Sequence, residues 1–135
     1  LIVTGVQTCA LPILQRVSLP VWIPGSYLVR EFAKNLQNLQ ANQGERALTV
    51  QQLGKASWQV DCATDAPLTV RYQVYAFDNS VRTAWLDATR GFFNGTSLCL
   101  QVAGQHDQPH ALELIATDSI AKGPRDTWAF CIFYA

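Results

Sequence analysis

Between residues 68 and 77 the chain reads "LTVRYQVYAF", in which Leu68, Val70, Tyr72, Val74 and Ala76 alternate with Thr69, Arg71, Gln73, Tyr75 and Phe77. A period of two with β-branched and aromatic enrichment predicts a strand with two distinct faces. "SLCLQV" repeats the pattern with Leu98, Leu100 and Val102 on one side, and "ALTVQQL", "SWQVDC" and "HALELIA" predict shorter strands. The spacers "ANQGER", "GKAS", "ATDAP", "FDNS" and "AGQHDQP" carry the Gly, Asn, Asp and Pro that tight reversals need. Strand, turn and strand at close spacing predict an all-β chain, an antiparallel β-sandwich or a saddle-shaped sheet. Helical periodicity is confined to "YLVREFAKNLQNL", where Leu28, Phe32 and Leu39 share a rough face. At most a short helix is expected after Gly25. No internal repeat, low-complexity tract or linker interrupts the pattern.

The 135 residues amount to one domain, and a chain of that size buries roughly two-thirds of its unfolded surface. Ten basic residues balance ten acidic ones, so charge favours neither nucleic acid nor an anionic membrane. No apolar run reaches the ~18–20 residues of a membrane span, and no basic region of a signal peptide opens the chain. The composition thus leaves the location, cytoplasm or periplasm, undecided. Cys9, Cys62, Cys99 and Cys131 lie far apart without a C-x-x-C pair, so neither a zinc knuckle nor a disulfide is implied.

Several short motifs lose their chemistry in context. "HDQPH" sets His106 and His110 four apart, as in H-E-x-x-H, but that spacing works only on a helix. Pro109 removes a helical N–H and restricts Gln108, and Gly104 precedes them, so a turn without metal is expected. Asn94-Gly95-Thr96 fits a glycosylation triplet, yet Asn-Gly is read more simply as a hairpin turn. Glu31, Asp78, Arg82, Asp87 and Arg90 are scattered charges of the kind that solvates strand edges. Two strings are denser than ordinary loops: "LPVWIPGSYLVREF" (19–32) and "SVRTAWLDATRGFFNGTSL" (80–98). Rigid backbone combined with aromatic rings suits a wedge against another domain or the wall of a groove.

The strings W-x-P-G-S-Y-x-x-R-E-F and V-R-T-A-x-L-D-x-x-x-G-F-F-N-G-T-S-L, with "KASWQVD" and "VRYQVYAFD" between them, resemble the N-terminal β-domain of bacterial glycyl aminopeptidase-type metallopeptidases. The likeness runs from about Val17 to Ala116. In that family a thermolysin-like zinc domain and a PDZ domain follow. The resemblance implies an accessory domain that packs on the catalytic domain of the same chain and helps bound the cleft for a peptide's N-terminus. Zinc belongs to the parent protein, on a helical H-E-x-x-H that does not occur in these 135 residues. The chain alone is therefore expected to carry no cofactor, no metal ligand and no catalytic group.

By analogy with larger zinc aminopeptidases, Arg82, Asn94 and Gly95 are expected nearest the cleft, and Tyr27 and Arg30 at the domain seam. A different class of function is a stand-alone carbohydrate-binding β-sandwich with Trp22, Tyr27, Trp58 and Trp85 as stacking platforms. It predicts those four rings exposed in one row.

The two ends of the chain read differently from its middle. A codon string that spells "VTGVQTCALPI" (3–13) resembles the adapter ligated to fragments for short-read sequencing, and the chain contains no Met. Residues 1–13 are therefore expected to lie outside the family domain, which would be incomplete at its N-terminus, with 14–116 forming the β-domain. Residues 117–135, "TDSIAKGPRDTWAFCIFYA", depart from the family pattern and read as a divergent or frame-shifted tail.

Overall fold

The computed structural model describes residues 2–8, 14–63, 66–87 and 89–115, with 2–8 described as backbone. The strands in chain order are β1 (Ile2–Thr8), β2 (Leu14–Ser18), β3 (Leu36–Gln43), β4 (Arg46–Leu48), β5 (Val50–Gly54) and β6 (Ser57–Asp61). They continue with β7 (Pro67–Val74), β8 (Ala84–Leu86), β9 (Gly91–Phe93), β10 (Gln101–Val102) and β11 (Ala111–Ile115). A single 3-10 turn, Phe32–Asn35, and one short helix, α1 (Gly95–Leu98), complete the regular structure of the described residues.

Every strand pairing among the described residues is antiparallel. One sheet has the order β11-β1-β7-β3-β4, a second has β10-β2-β6-β5, and β8 and β9 form a small hairpin. The reason β7 occupies the middle of the larger sheet is its alternation: Leu68, Val70, Tyr72 and Val74 are buried while the intervening positions are not. On β6 the same rule buries Trp58 and Val60 between half-buried Ser57 and Gln59. Val60 joins Leu68, Val70 and Tyr72 in one apolar cluster, so the two sheets pack face to face as a sandwich. A second cluster, Val17, Leu19, Ile23, Phe32, Trp58 and Val102, fills the end of the sandwich nearest the 19–32 segment. Leu36, Leu39, Val50 and Leu100 border both clusters and make the core continuous.

Two positions bend the regular ladders. Gly44 takes φ +60 in the two-residue turn between β3 and β4, where Gln43 pairs with Arg46. Asn38, a non-glycine residue with positive φ (+54), sits where the β3–β7 register slips between Gln37 and Gln40. Its amide donates to Gln73 Oε1 at 2.7 Å, holding the bulge against the neighbouring strand.

Two expectations from the sequence are corrected. "SLCLQV" is not one strand, because Asn94 Oδ1 accepts from Thr96 N–H at 3.0 Å and starts a helical turn that carries Leu98 into the core. Only Gln101–Val102 of that string is extended and paired. For the same reason Asn94-Gly95 caps α1 rather than turning a hairpin; the hairpin lies at 86–91, where Leu86 pairs with Gly91. The expected tail, residues 117–135, lies outside the described residues, as do Cys9 and Cys131. Backbone 2–8, set aside on its resemblance to an adapter, pairs with β7 on one side and β11 on the other.

Candidate functional site

Topology brings the two dense strings to one end of the sandwich. Leu36 opens β3 opposite Val74, which closes β7, so the segment before β3 and the excursion after β7 leave the larger sheet at the same edge. Tyr75 N–H donates to Asn35 O at 2.9 Å, and α1 packs on the 3-10 turn, which ties the two segments together. Leu19 N–H donates to Ala56 O at 2.9 Å and anchors the first segment on the smaller sheet.

The 19–32 segment is a preformed loop. Ile23-Pro24-Gly25-Ser26 closes with a bond from Ser26 N–H to Ile23 O at 3.0 Å, Pro24 supplies the fixed φ, and Gly25 takes φ +80. That is the arrangement of a type II turn, whose third position favours glycine. Arg30 N–H donates to Val21 O at 2.7 Å, and Trp22 Nε1 donates to Ser26 O at 2.6 Å. Ile23, Ser26 and Phe32 are buried and pin the loop from beneath. What it presents outward is apolar: Val21, Trp22, Leu28 and Val29 are exposed, and Tyr27 is fully so. The loop is thus held by hydrogen bonds from within while large apolar side chains stand uncovered on its outer side.

The 75–98 excursion follows the same plan. Asp78 Oδ1 accepts from Ser80 N–H at 3.0 Å, and Thr83 Oγ1 lies 2.8 Å from Asp78 O and 3.0 Å from Ser80 O. Phe77 stacks on Trp85 with ring centroids 4.8 Å apart and planes at 23°, and Tyr75 lies 6.2 Å from Phe77. Tyr75, Phe77 and Val81 are exposed. Asp87 organises the hairpin end: it accepts from Trp85 Nε1 at 2.8 Å, from Thr89 N–H and Oγ1, and from Arg90 N–H. Those donors, Trp85 first, hold its carboxyl far below the usual carboxylate range.

The expected site residues divide between surface and scaffold. Tyr27 stands free on the first loop. Arg30 is half-buried, with Nη2 reaching Ser26 Oγ at 3.4 Å. Arg82 is exposed, its backbone N–H 3.3 Å from Ser80 Oγ. Asn94 and Gly95 open α1, and Asn94 spends its side chain on the cap while its N–H donates to Thr83 O at 2.8 Å. The four-ring row is corrected: Trp58 is 7% exposed in the core, and Trp85 stacks on Phe77, which leaves Trp22 and Tyr27 as the outward pair. The residues that the sequence did not single out are Leu28, Val29, Tyr75, Phe77 and Val81, the apolar surface of both loops. Tyr75 and Phe77 were hidden there by the alternation that assigned them to a strand.

"HDQPH" is a turn region, with His110 Nε2 3.1 Å from Gln105 O. Among the described residues no three His, Cys, Asp or Glu side chains come together that would hold a metal ion. No helix among the described residues is long and apolar enough to cross a membrane.

Tyr72 joins the excursion to the core: its hydroxyl donates to Leu98 O at 2.7 Å. Burial first, and the neighbouring Cys99 second, push the phenol's pKa up, against a Leu100 amide that acts the other way. Burial alone pushes the Cys99 thiol up to about 11 from 9.0. Both folded-state values exceed the unfolded ones, so this stability is fully present below about pH 9 and is lost as pH rises. Urea denaturation of the chain is expected to lose roughly 2 kcal/mol through Cys99 between neutral pH and pH 11, and ~1 kcal/mol more through Tyr72. Cys99→Ser should flatten the first part of that decline; an unchanged profile would show that the thiol titrates as freely folded as unfolded.

Comparison with known proteins agrees with this architecture. The pattern of the Peptidase M61 N-terminal domain matches residues 6–128, and the chain belongs to that family. The solved structure of an aminopeptidase N family protein from Idiomarina loihiensis is 47% identical, with a TM-score of 0.72. The match covers 78% of this chain and 18% of that one, so this chain spans less than a fifth of its solved relative. No curated protein matches.

Proposed function

We propose that this chain is the non-catalytic N-terminal domain of a zinc metalloaminopeptidase. It packs on the catalytic domain of the same polypeptide and helps bound the cleft that receives a peptide's N-terminus. The observation that carries the reading is the pair of rigid loops at one end of the sandwich, 19–32 and 75–98, both presenting large uncovered apolar side chains. A surface of that kind is costly in water unless another surface covers it. Membership of a peptidase family and a solved relative more than five times the matched length support the presence of a domain that covers it. In this arrangement Tyr27 and Arg30 lie at the seam, while Arg82, Asn94 and Gly95 face the cleft. A zinc ion of the parent would be held by the catalytic domain and would supply Lewis-acid activation of the scissile carbonyl and of water there.

The test uses a chimera: the I. loihiensis protein carrying residues 14–115 of this chain in place of its matched segment. The isolated 135-residue chain should cleave no Gly- or Ala-initiated peptide, whereas the chimera should. In the chimera Arg82→Ala should raise KM or lower kcat/KM several-fold with no change in melting temperature. Asn94→Ala is the less clean probe, because losing the α1 cap alone costs about 1 kcal/mol. Turnover by the isolated chain would refute the accessory reading, and unchanged kinetics in Arg82→Ala would leave the 80–97 loop with a packing role only.

A further inference from the structure

Among the described residues the guanidinium of Arg30 has no charged partner. A guanidinium carries five N–H donors in a planar fork. Of these, Nη2 makes one long bond, 3.4 Å, to the neutral Ser26 Oγ. Nε is sealed from water and has no acceptor among the described residues. Its chain neighbour Glu31 does not serve it, because that carboxylate is paired with Lys55 Nζ at 2.9 Å. No carboxylate of the described residues lies within ion-pair distance of Arg30. A buried donor without an acceptor is a cost that folding normally removes.

The surroundings say where an acceptor comes from. Arg30 closes the loop through its N–H to Val21 O, next to exposed Leu28 and Val29 and beside the Trp22–Ser26 bond. A surface that covers those side chains also covers the guanidinium and excludes water from it, which strengthens any charged partner brought with it. We infer that the catalytic domain presents an Asp or Glu carboxylate to Arg30. The long Ser26 contact gives way, the fork turns, and its Nε–Nη2 edge takes the two carboxylate oxygens side by side. The inference rests on the accessory-domain reading and adds to it the chemistry of the seam: an apolar surface with one carboxylate.

Amide hydrogen exchange in the chimera tests it, with Arg30→Gln, which removes the charge, and Arg30→Lys, which keeps charge but not the fork. Loop amides 21–30 should be strongly protected in the chimera and weakly in the isolated chain. Arg30→Gln should lower that protection about thirtyfold or more, as for truncating one partner of a desolvated charge pair, and Arg30→Lys should recover part of it. The melting temperature of the isolated chain should not fall with either variant.

Protection that survives Arg30→Gln overturns the carboxylate while leaving the seam in place. Equal protection in chimera and isolated chain refutes the seam itself. Protection that arises only on adding a peptide substrate assigns the carboxylate to the peptide and also overturns the inference. If the chimera does not fold, the Arg30 Nε–H signal of the 135-residue chain decides. Acetate, and not chloride, should move that signal in wild type; indifference to acetate at every concentration the fold tolerates overturns the proposal.

Discussion

Leu98→Ala lowers the stability of this chain by roughly 2–5 kcal/mol, the range for deleting a fully buried leucine that its neighbours cannot replace. Leu98 is 0% exposed and packs in the cluster of Val60, Leu68, Val70 and Tyr72, although its own backbone belongs to the short helix α1. A four-residue helix has no stability of its own. Ala84 anchors the 75–98 excursion in the same cluster further up, and its end is held by two attachments: the Leu98 side chain, and the Leu98 carbonyl that accepts from Tyr72 Oη at 2.7 Å. Tyr72→Phe removes the second and leaves a buried carbonyl unmatched, at about 1–3 kcal/mol. Because both act on one residue, the double variant should lose measurably less than the sum of the two losses. Urea midpoints of the two single variants and the double give the cycle. Hydrogen exchange should show the amides of Cys99 and Asn94, bonded to Gly95 O and Thr83 O, opening first. Strict additivity would mean that Tyr72 and Leu98 stabilise separate parts of the fold.

The same residue marks the boundary of what the sequence reveals. On β7 every buried side chain was legible, since Leu68, Val70, Tyr72 and Val74 face one core and nothing local competes with the extended backbone. At 97–102 the apolar positions Leu98, Leu100 and Val102 show the same period of two, yet Asn94 caps a helical turn and Ser97 Oγ donates to Asn94 O at 2.7 Å. Local side-chain hydrogen bonds of Asn and Ser thus overrode the alternation, and a period-two count does not see them.

For the candidate site the legible part was the density of Trp, Pro, Gly and Arg in two strings. Their convergence was not legible, because it follows from the Leu36–Val74 register, a pairing between positions 38 residues apart. Trp58 illustrates the converse. Ser57-Trp58-Gln59 already fits a strand with one buried face, and its indole lies in the core instead of in a row of exposed rings.

Replacing Tyr27, Leu28 and Val29 together by serine should leave the isolated chain nearly as stable as before, each change falling within about 0.5 kcal/mol. These side chains are exposed, and the loop is held by Ile23, Ser26, Phe32 and the bonds to Val21 O and Ser26 O, none of which the triple variant touches. In the chimera the same variant should be severe. Three large side chains that would be buried against the catalytic domain represent roughly 3–6 kcal/mol of apolar burial. Their loss should separate the melting of the β-domain from that of the remainder and expose Arg30 and Lys34 to trypsin.

The contrast between the two backgrounds carries the argument, since a residue that only packs within its own domain would destabilise both alike. Matched single variants of Tyr75 and Phe77 extend the comparison to the second loop. If they too are silent in the isolated chain and costly in the chimera, both loops meet the same neighbour. If only the first loop responds, the aromatic stack of Phe77 on Trp85 faces the open cleft, and its loss should appear in KM for longer peptides instead of in melting.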